Sequence, residues 1–168
     1  GYYYIFKYAG MRRYKSTTGS VSTYTYRSNT SNWIVYRLPD VILMKAEALL
    51  QKDGDKSLES VVSLVNKTYH RSNPDVDTLN IGLYTGLSDV ETLVLRERQR
   101  ELMFEGKRWF DLVRMARRLG KPTPVISYVG RTTSSSKALS KISTLDALYW
   151  PINKSELEAN KLLKQNPF

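Results

Sequence analysis

From Leu38 onward, apolar positions recur at helical spacing. Val41, Ile42, Leu43, Met44, Ala46, Ala48, Leu49 and Leu50 leave only Lys45 and Glu47 polar, which predicts a helix buried on most sides. Pro39 suits a first helical turn, where its missing N–H costs nothing, and Asp40 favours the positive end of the helix dipole. Gly54, in Lys52-Asp53-Gly54-Asp55, can adopt the left-handed conformation that ends such a helix. A second stripe follows at Leu58, Val61, Val62, Val65 and Tyr69. Two helices joined by a tight glycine turn predict an antiparallel hairpin.

Residues 72–87, with Pro74, Gly82 and Gly86, read as a loop. Ser88 and Glu91 form a reciprocal cap that opens a helix running to Glu105, with a bend at Gly106. Residues 107–119 continue as helix and are stopped by Gly120 and Pro122. A mobile loop is expected over 121–136 and a short helix over 137–148. Asn153 with Glu156 caps a last helix that ends before Asn166-Pro167. The fold class expected is therefore mostly α: one helical hairpin plus further helices with long irregular loops.

Before Leu38 the pattern differs. Eight of the 12 tyrosines lie in residues 1–37, among them Tyr24 and Tyr26 in the alternation Val21-Ser22-Thr23-Tyr24-Thr25-Tyr26. That reads as extended or irregular strand. The domain division expected is an irregular Tyr-rich segment, 1–37, and a helical domain, 38–168.

Composition narrows the possible chemistry. A chain of 168 residues suits one domain, and a compact fold of that size buries roughly 70% of its unfolded surface. Cysteine is absent, so disulfides, thiolate metal sites and a cysteine nucleophile are excluded. No apolar run approaches the roughly 18 residues of a membrane-spanning helix. The formal charge is +10, and the excess is concentrated: no acid precedes Asp40, and none lies between Asp111 and Asp146. This raises a basic nucleic-acid-binding module as one reading. Yet Arg114, Arg117 and Arg118 alternate with core positions as on any solvated helix, and no zinc, helix-turn-helix or RNA-sheet signature accompanies them. Nucleic acid is not the expected partner.

The segment from Arg96 to Arg118 is the most informative. Leu95, Leu102, Trp109 and Ala116 recur every seven residues and can share one side if the bend at Gly106 leaves the helix nearly straight. Arg98 falls on that side, and a charge on an apolar stripe must be paired. Arg98, Glu101, Glu105, Arg108 and Asp111 are therefore read as a structural ion network. An acid/base carboxylate pair for glycosidic cleavage is the competing reading, but each carboxylate has an arginine at helical spacing and so lacks the raised pKa of a general acid. His70 is the single histidine, and no nucleophile elbow, metal-ligand spacing or phosphate loop surrounds it. No catalytic residue, metal ligand or cofactor is expected. Aromatic residues outside regular helices supply the binding candidates, because ring faces accept sugar C–H groups. These are Trp33, Tyr24 and Tyr26, with Tyr128 and Arg131 in the loop after Gly120. Trp109 and Trp150 are read as structural.

Three segments then resemble one family in order. Tyr36-Arg37-Leu38-Pro39-Asp40-Val41-Ile42-Leu43-Met44-Lys45-Ala46-Glu47-Ala48-Leu49 is similar to a helix of the SusD/RagB outer-membrane nutrient-binding lipoproteins. Glu97-Arg98 with Glu101-Leu102, followed by Phe104-Glu105-Gly106-Lys107-Arg108-Trp109-Phe110-Asp111-Leu112-Val113-Arg114, resembles a second. Tyr149-Trp150-Pro151-Ile152, with Glu156, Asn160 and Gln165-Asn166-Pro167, resembles the family's closing segment, although Asn153 stands where a second proline is usual.

The resemblance implies a SusD-like C-terminal portion of a protein roughly three times longer, with the N-terminal half and its lipid anchor upstream. It implies binding without catalysis at the cell surface of the outer membrane. An oligosaccharide or peptide is captured and passed to a SusC-like TonB-dependent transporter. The alternative is a tetratricopeptide-type interaction module with no ligand of its own.

Overall fold

The computed structural model describes residue 7, the strand backbones 11–15 and 22–26, and residues 33–166. The chain forms two compact units, Gly1–Val94 and Leu95–Phe168. The fold is mostly helical.

In the first unit, β1 (Met11–Lys15) pairs antiparallel with β2 (Ser22–Tyr26), Met11 opposite Tyr26 and Lys15 opposite Ser22. The extended segments expected there form this two-stranded ladder. Helices α1 (Leu38–Asp53) and α2 (Leu58–Ser72) then make a tetratricopeptide-like hairpin. Pro39 occupies the first turn of α1, and Gly54, at φ 56°, ends the helix by donating its N–H to the Leu50 carbonyl. The connection is one 3-10 turn, Gly54–Ser57, whose buried Ser57 hydroxyl donates to the carbonyls of Gly54 and Leu49.

Leu43, Ala46 and Leu50 of α1 close on Val61, Val62 and Val65 of α2 and on Val90, Leu93 and Val94 of the third helix, α3 (Leu87–Glu101). Each set keeps the i, i+3/i+4 rhythm that puts side chains on one stripe. Asn66 fastens the following loop, donating to the Leu79 carbonyl and accepting the Leu79 N–H at 2.9 and 2.8 Å.

Two expectations change in this unit. Helix α1 is buried on one side only: Leu38, Val41 and Met44 are exposed, because α2 and α3 cover a single stripe. The start of α3 is also held differently from the expected Ser88 and Glu91 cap. Asp89 accepts both the backbone N–H and the hydroxyl of Thr85. A charged carboxylate is the stronger acceptor, and the helix N-terminus favours it further.

In the second unit, α3 ends at Glu101 and α4 (Arg108–Leu119) begins after a turn. Phe104 (φ 65°) and Gly106 (φ 72°) both lie in the left-handed region there, so the single bent helix expected through Gly106 is two helices. Leu95, Leu102 and Ala116 are buried and Trp109 is half-buried, so the seven-residue stripe still faces inward, carried by separate elements.

Gly120, left-handed at φ 65° and ψ 18°, ends α4. The loop expected over 121–136 holds a two-turn helix, α5 (Thr123–Val129). Pro122 and Pro124 fall at its cap and first turn, where proline is tolerated. The short helix expected over 137–148 resolves into α6 (Ser136–Lys141) and a 3-10 turn, Asp146–Leu148. The last helix, α7 (Lys154–Ala159), is capped by the Asn153 carboxamide accepting the Ser155 N–H, and it ends earlier than expected. Leu112, Ala116, Val125 and Leu148 form the core of this unit.

Candidate functional site

The ionic layer of the second unit is built around Asp111, in the first turn of α4. Its Oδ1 accepts Nε–H and Nη–H from Arg98 of α3, at 3.0 and 2.9 Å, and a further N–H from Arg114 at 3.0 Å. Arg98 and Asp111 are 3% and 2% exposed, while Arg114 is 46% exposed. The spacing 111/114 puts Arg114 one turn along α4 beside the carboxylate. Glu105 is buried and Glu101 half-buried.

Arg108 of the same sequence cluster turns elsewhere. It donates to the Leu95 carbonyl at 3.0 Å and lies 3.9 Å from the centroid of the Tyr128 ring. Burial pushes its guanidinium down from the ordinary value, against the opposing effects of Tyr128 and Asp111. Two residues of this layer carried too little sequence signal to be singled out. Glu97 is buried beside Arg100, and Arg114 shares the Asp111 oxygen. Their signal is helical spacing to an opposite charge, which is common on any solvated helix.

Tyr128, from α5, and Arg131 come together as expected from their proximity, the guanidinium lying 5.0 Å from the ring centroid. With Arg108 also on it, the half-buried Tyr128 ring carries two cations. Trp33 belongs to the first unit and is 60% exposed. Tyr24 and Tyr26 belong to β2, and their side chains lie outside the described residues.

An open concavity of the second unit lies on α4. Trp109, Phe110, Val113, Arg114 and Arg117 occupy adjacent ridges of that helix, and Leu148, Tyr149 and Trp150 form the opposite wall. It encloses about 440 Å³, within the range of small-ligand pockets, roughly 300–1,000 Å³. Leu148 is its buried floor, while Phe110 and Trp150 are 63% and 78% exposed at its rim. Trp150, read as structural from the sequence, is thus an exposed rim residue. Trp109, read as structural, packs on the core and lines the groove as well.

The rim is held from behind by two carboxamides. Gln165 accepts the Ile152 N–H at 2.8 Å and donates to the Ile152 carbonyl at 2.9 Å, as a neighbouring strand would. Asn166 donates to the Trp150 carbonyl at 2.7 Å. The backbone from Trp150 to Ile152 is thereby fixed on both sides of Pro151. The lining carries no carboxylate, imidazole or thiol. What it offers is aromatic faces beside guanidinium groups, which is recognition chemistry. Among the described residues, no group of three or more His, Asp or Glu is placed to hold a metal, and no helix is long and apolar enough to cross a membrane.

Comparison with known proteins bears on all of these segments together. The chain is 30% identical over 141 residues to SusD-like protein P38 of Formosa agariphila, a match covering 81% of this chain and 24% of that protein. It is 33% identical over 92 residues to SusD-like protein P2 of the same organism, covering 53% of this chain and 18% of that protein. The chain thus spans about a quarter or less of the length of these curated relatives. No solved structure matches it significantly. The model of the SusD family matches residues 1–168, the three resembling segments included. The chain belongs to the SusD/RagB family.

Proposed function

We propose that this chain is part of a cell-surface nutrient-binding protein that captures saccharides and passes them to a SusC-like TonB-dependent transporter of the outer membrane. The observation that carries the reading is the groove on α4, where Trp109, Phe110, Tyr149 and Trp150 surround a concavity of ligand size in a chain of this family. Sugar rings present C–H faces that pack on aromatic planes, and their hydroxyls find polar neighbours. The lining offers no carboxylate pair to cleave a glycosidic bond, which supports binding without catalysis. Trp33, Tyr24, Tyr26 and the Tyr128–Arg131 pair are further proposed contacts. The lipid anchor belongs to sequence upstream of residue 1 in this reading.

Calorimetric titration of the chain with a panel of neutral and acidic oligosaccharides tests it. Binding of at least one saccharide class that is lost in Trp150→Ala is the expected result. Absence of binding across the panel, together with capture of helical protein partners instead, would favour the interaction-module reading. Co-purification with a SusC-like transporter tests the partner.

A further inference from the structure

The groove is not only aromatic. Arg114 and Arg117 stand three residues apart on the α4 face that lines it, and no acidic side chain lines it with them. Arg117 is exposed and lies 5.9 Å from the centroid of the Tyr149 ring, so its planar group sits beside the aromatic wall. Arg114 bonds Asp111 from its own flank while remaining 46% exposed. The sequence around them holds no acid between Asp111 and Asp146 but seven basic residues, Arg114, Arg117, Arg118, Lys121, Arg131, Lys137 and Lys141. A neutral sugar needs none of this charge. A carboxylate or sulfate does, because a guanidinium meets it with two parallel N–H donors and a positive field raises its local concentration.

We propose that the groove takes an acidic pyranoside of an anionic polysaccharide. Its ring lies on Trp150 and Phe110, and its carboxylate or sulfate is held by Arg117 with Arg114. This assignment rests on the saccharide-capture reading and adds the ligand's charge to it. Arg117 is the specificity-determining residue and Trp150 the platform. The terminal oxygens of a sulfate ester and the two oxygens of a uronate carboxylate offer anionic acceptors to the same donors, so the test separates the two sources.

The experiment titrates the 168-residue chain by calorimetry and tryptophan fluorescence with matched pairs. One pair is an oligogalacturonide and its methyl ester, in which esterification removes the charge. The other is a sulfated galactan oligosaccharide and its desulfated form. At least one acidic member is expected to bind about tenfold tighter than its neutral counterpart. Added salt should shrink that preference. Arg117→Met should erase the preference for the acidic member of each pair, and Trp150→Ala should abolish binding of both members. Both positions are exposed, so unchanged far-UV circular dichroism certifies the variants.

Equal affinity within both pairs, or a preference that survives Arg117→Met, overturns the proposal and leaves saccharide capture standing. No binding by any of the four ligands overturns both readings. A single-stranded oligonucleotide that binds tighter than every saccharide, and is lost in Trp150→Ala, overturns the proposal in favour of base stacking with phosphate contacts.

Discussion

Arg98 directs its Nε and one Nη to a single oxygen of Asp111, at 3.0 and 2.9 Å, with both side chains buried. The pair joins the end of α3 to the first turn of α4 across the break at 102–107. A charge taken out of water must recover its lost hydration from the groups around it, and Asp111 supplies part of this to Arg98 while also serving Arg114.

Removing that carboxylate takes two charge-assisted contacts from a buried guanidinium. Asp111→Ala should destabilise the chain by about 3–5 kcal/mol in denaturant unfolding, and Arg98→Ala by a similar amount. The double variant Arg98→Met, Asp111→Leu should cost clearly less than the sum of the two, because both buried charges of the pair are removed together. Single-variant losses below about 0.5 kcal/mol would show that the pair behaves as a solvated one.

Gln165 holds Ile152 by two hydrogen bonds, and Trp150 stands two residues away at the groove rim. Gln165→Ala should therefore raise the hydrogen-exchange rate of the Ile152 amide by about tenfold, for the loss of about 1–2 kcal/mol of local protection. Gln165→Glu keeps an acceptor for the Ile152 N–H but loses the donor, and should fall between the two. An unchanged exchange rate in Gln165→Ala would show that the rim is held by other contacts.

Phe104 adopts φ 65° with its side chain 54% exposed. An aromatic residue in the left-handed region is strained by about 1–2 kcal/mol. Asparagine visits that region readily, so Phe104→Asn should raise the thermal midpoint slightly, for about 0.5–1 kcal/mol of relief. Gly106→Ala, two residues on at φ 72°, should lower it for the same reason of backbone preference. The opposite order of midpoints would refute the strain assignment.

Asp89 accepts from the hydroxyl and the backbone N–H of Thr85, which together hold its carboxyl below the usual carboxylate range. A depressed carboxylate stabilises the fold above its unfolded pKa, and that contribution is lost as pH falls through the folded pKa. Acidification should thus fray the start of α3. In an NMR titration, Thr85→Ala should move the Asp89 midpoint upward, since the hydroxyl is the larger cause. A midpoint that stays in place would assign the shift to the backbone N–H alone.

Much of the fold was legible because helical packing writes a local signature. The stripes at Leu43, Ala46 and Leu50 and at Val61, Val62 and Val65 repeat with the helical period, so α1 and α2 were readable from spacing alone. Arg98 on an apolar stripe was readable as a paired charge for the same reason. Helix α5 was hidden because Pro122, Pro124 and Gly130 punctuate it, and proline is compatible with a first turn as well as with a loop. The break after Glu101 was hidden because a seven-residue repeat is satisfied by one long helix or by two that both face inward.

The sequence alone determined the helical class, the α1–α2 hairpin, the concentrated positive charge and the family motifs, since each depends on residues within a few turns of one another. Tertiary structure alone decided the groove. Trp109 and Trp150 are 41 positions apart, and only the packing of Leu148 against Leu112 and Ala116 brings their segments to one concavity. Which side chains face solvent there depends on what the rest of the chain covers, and burial is a property of the folded whole that no local spacing encodes.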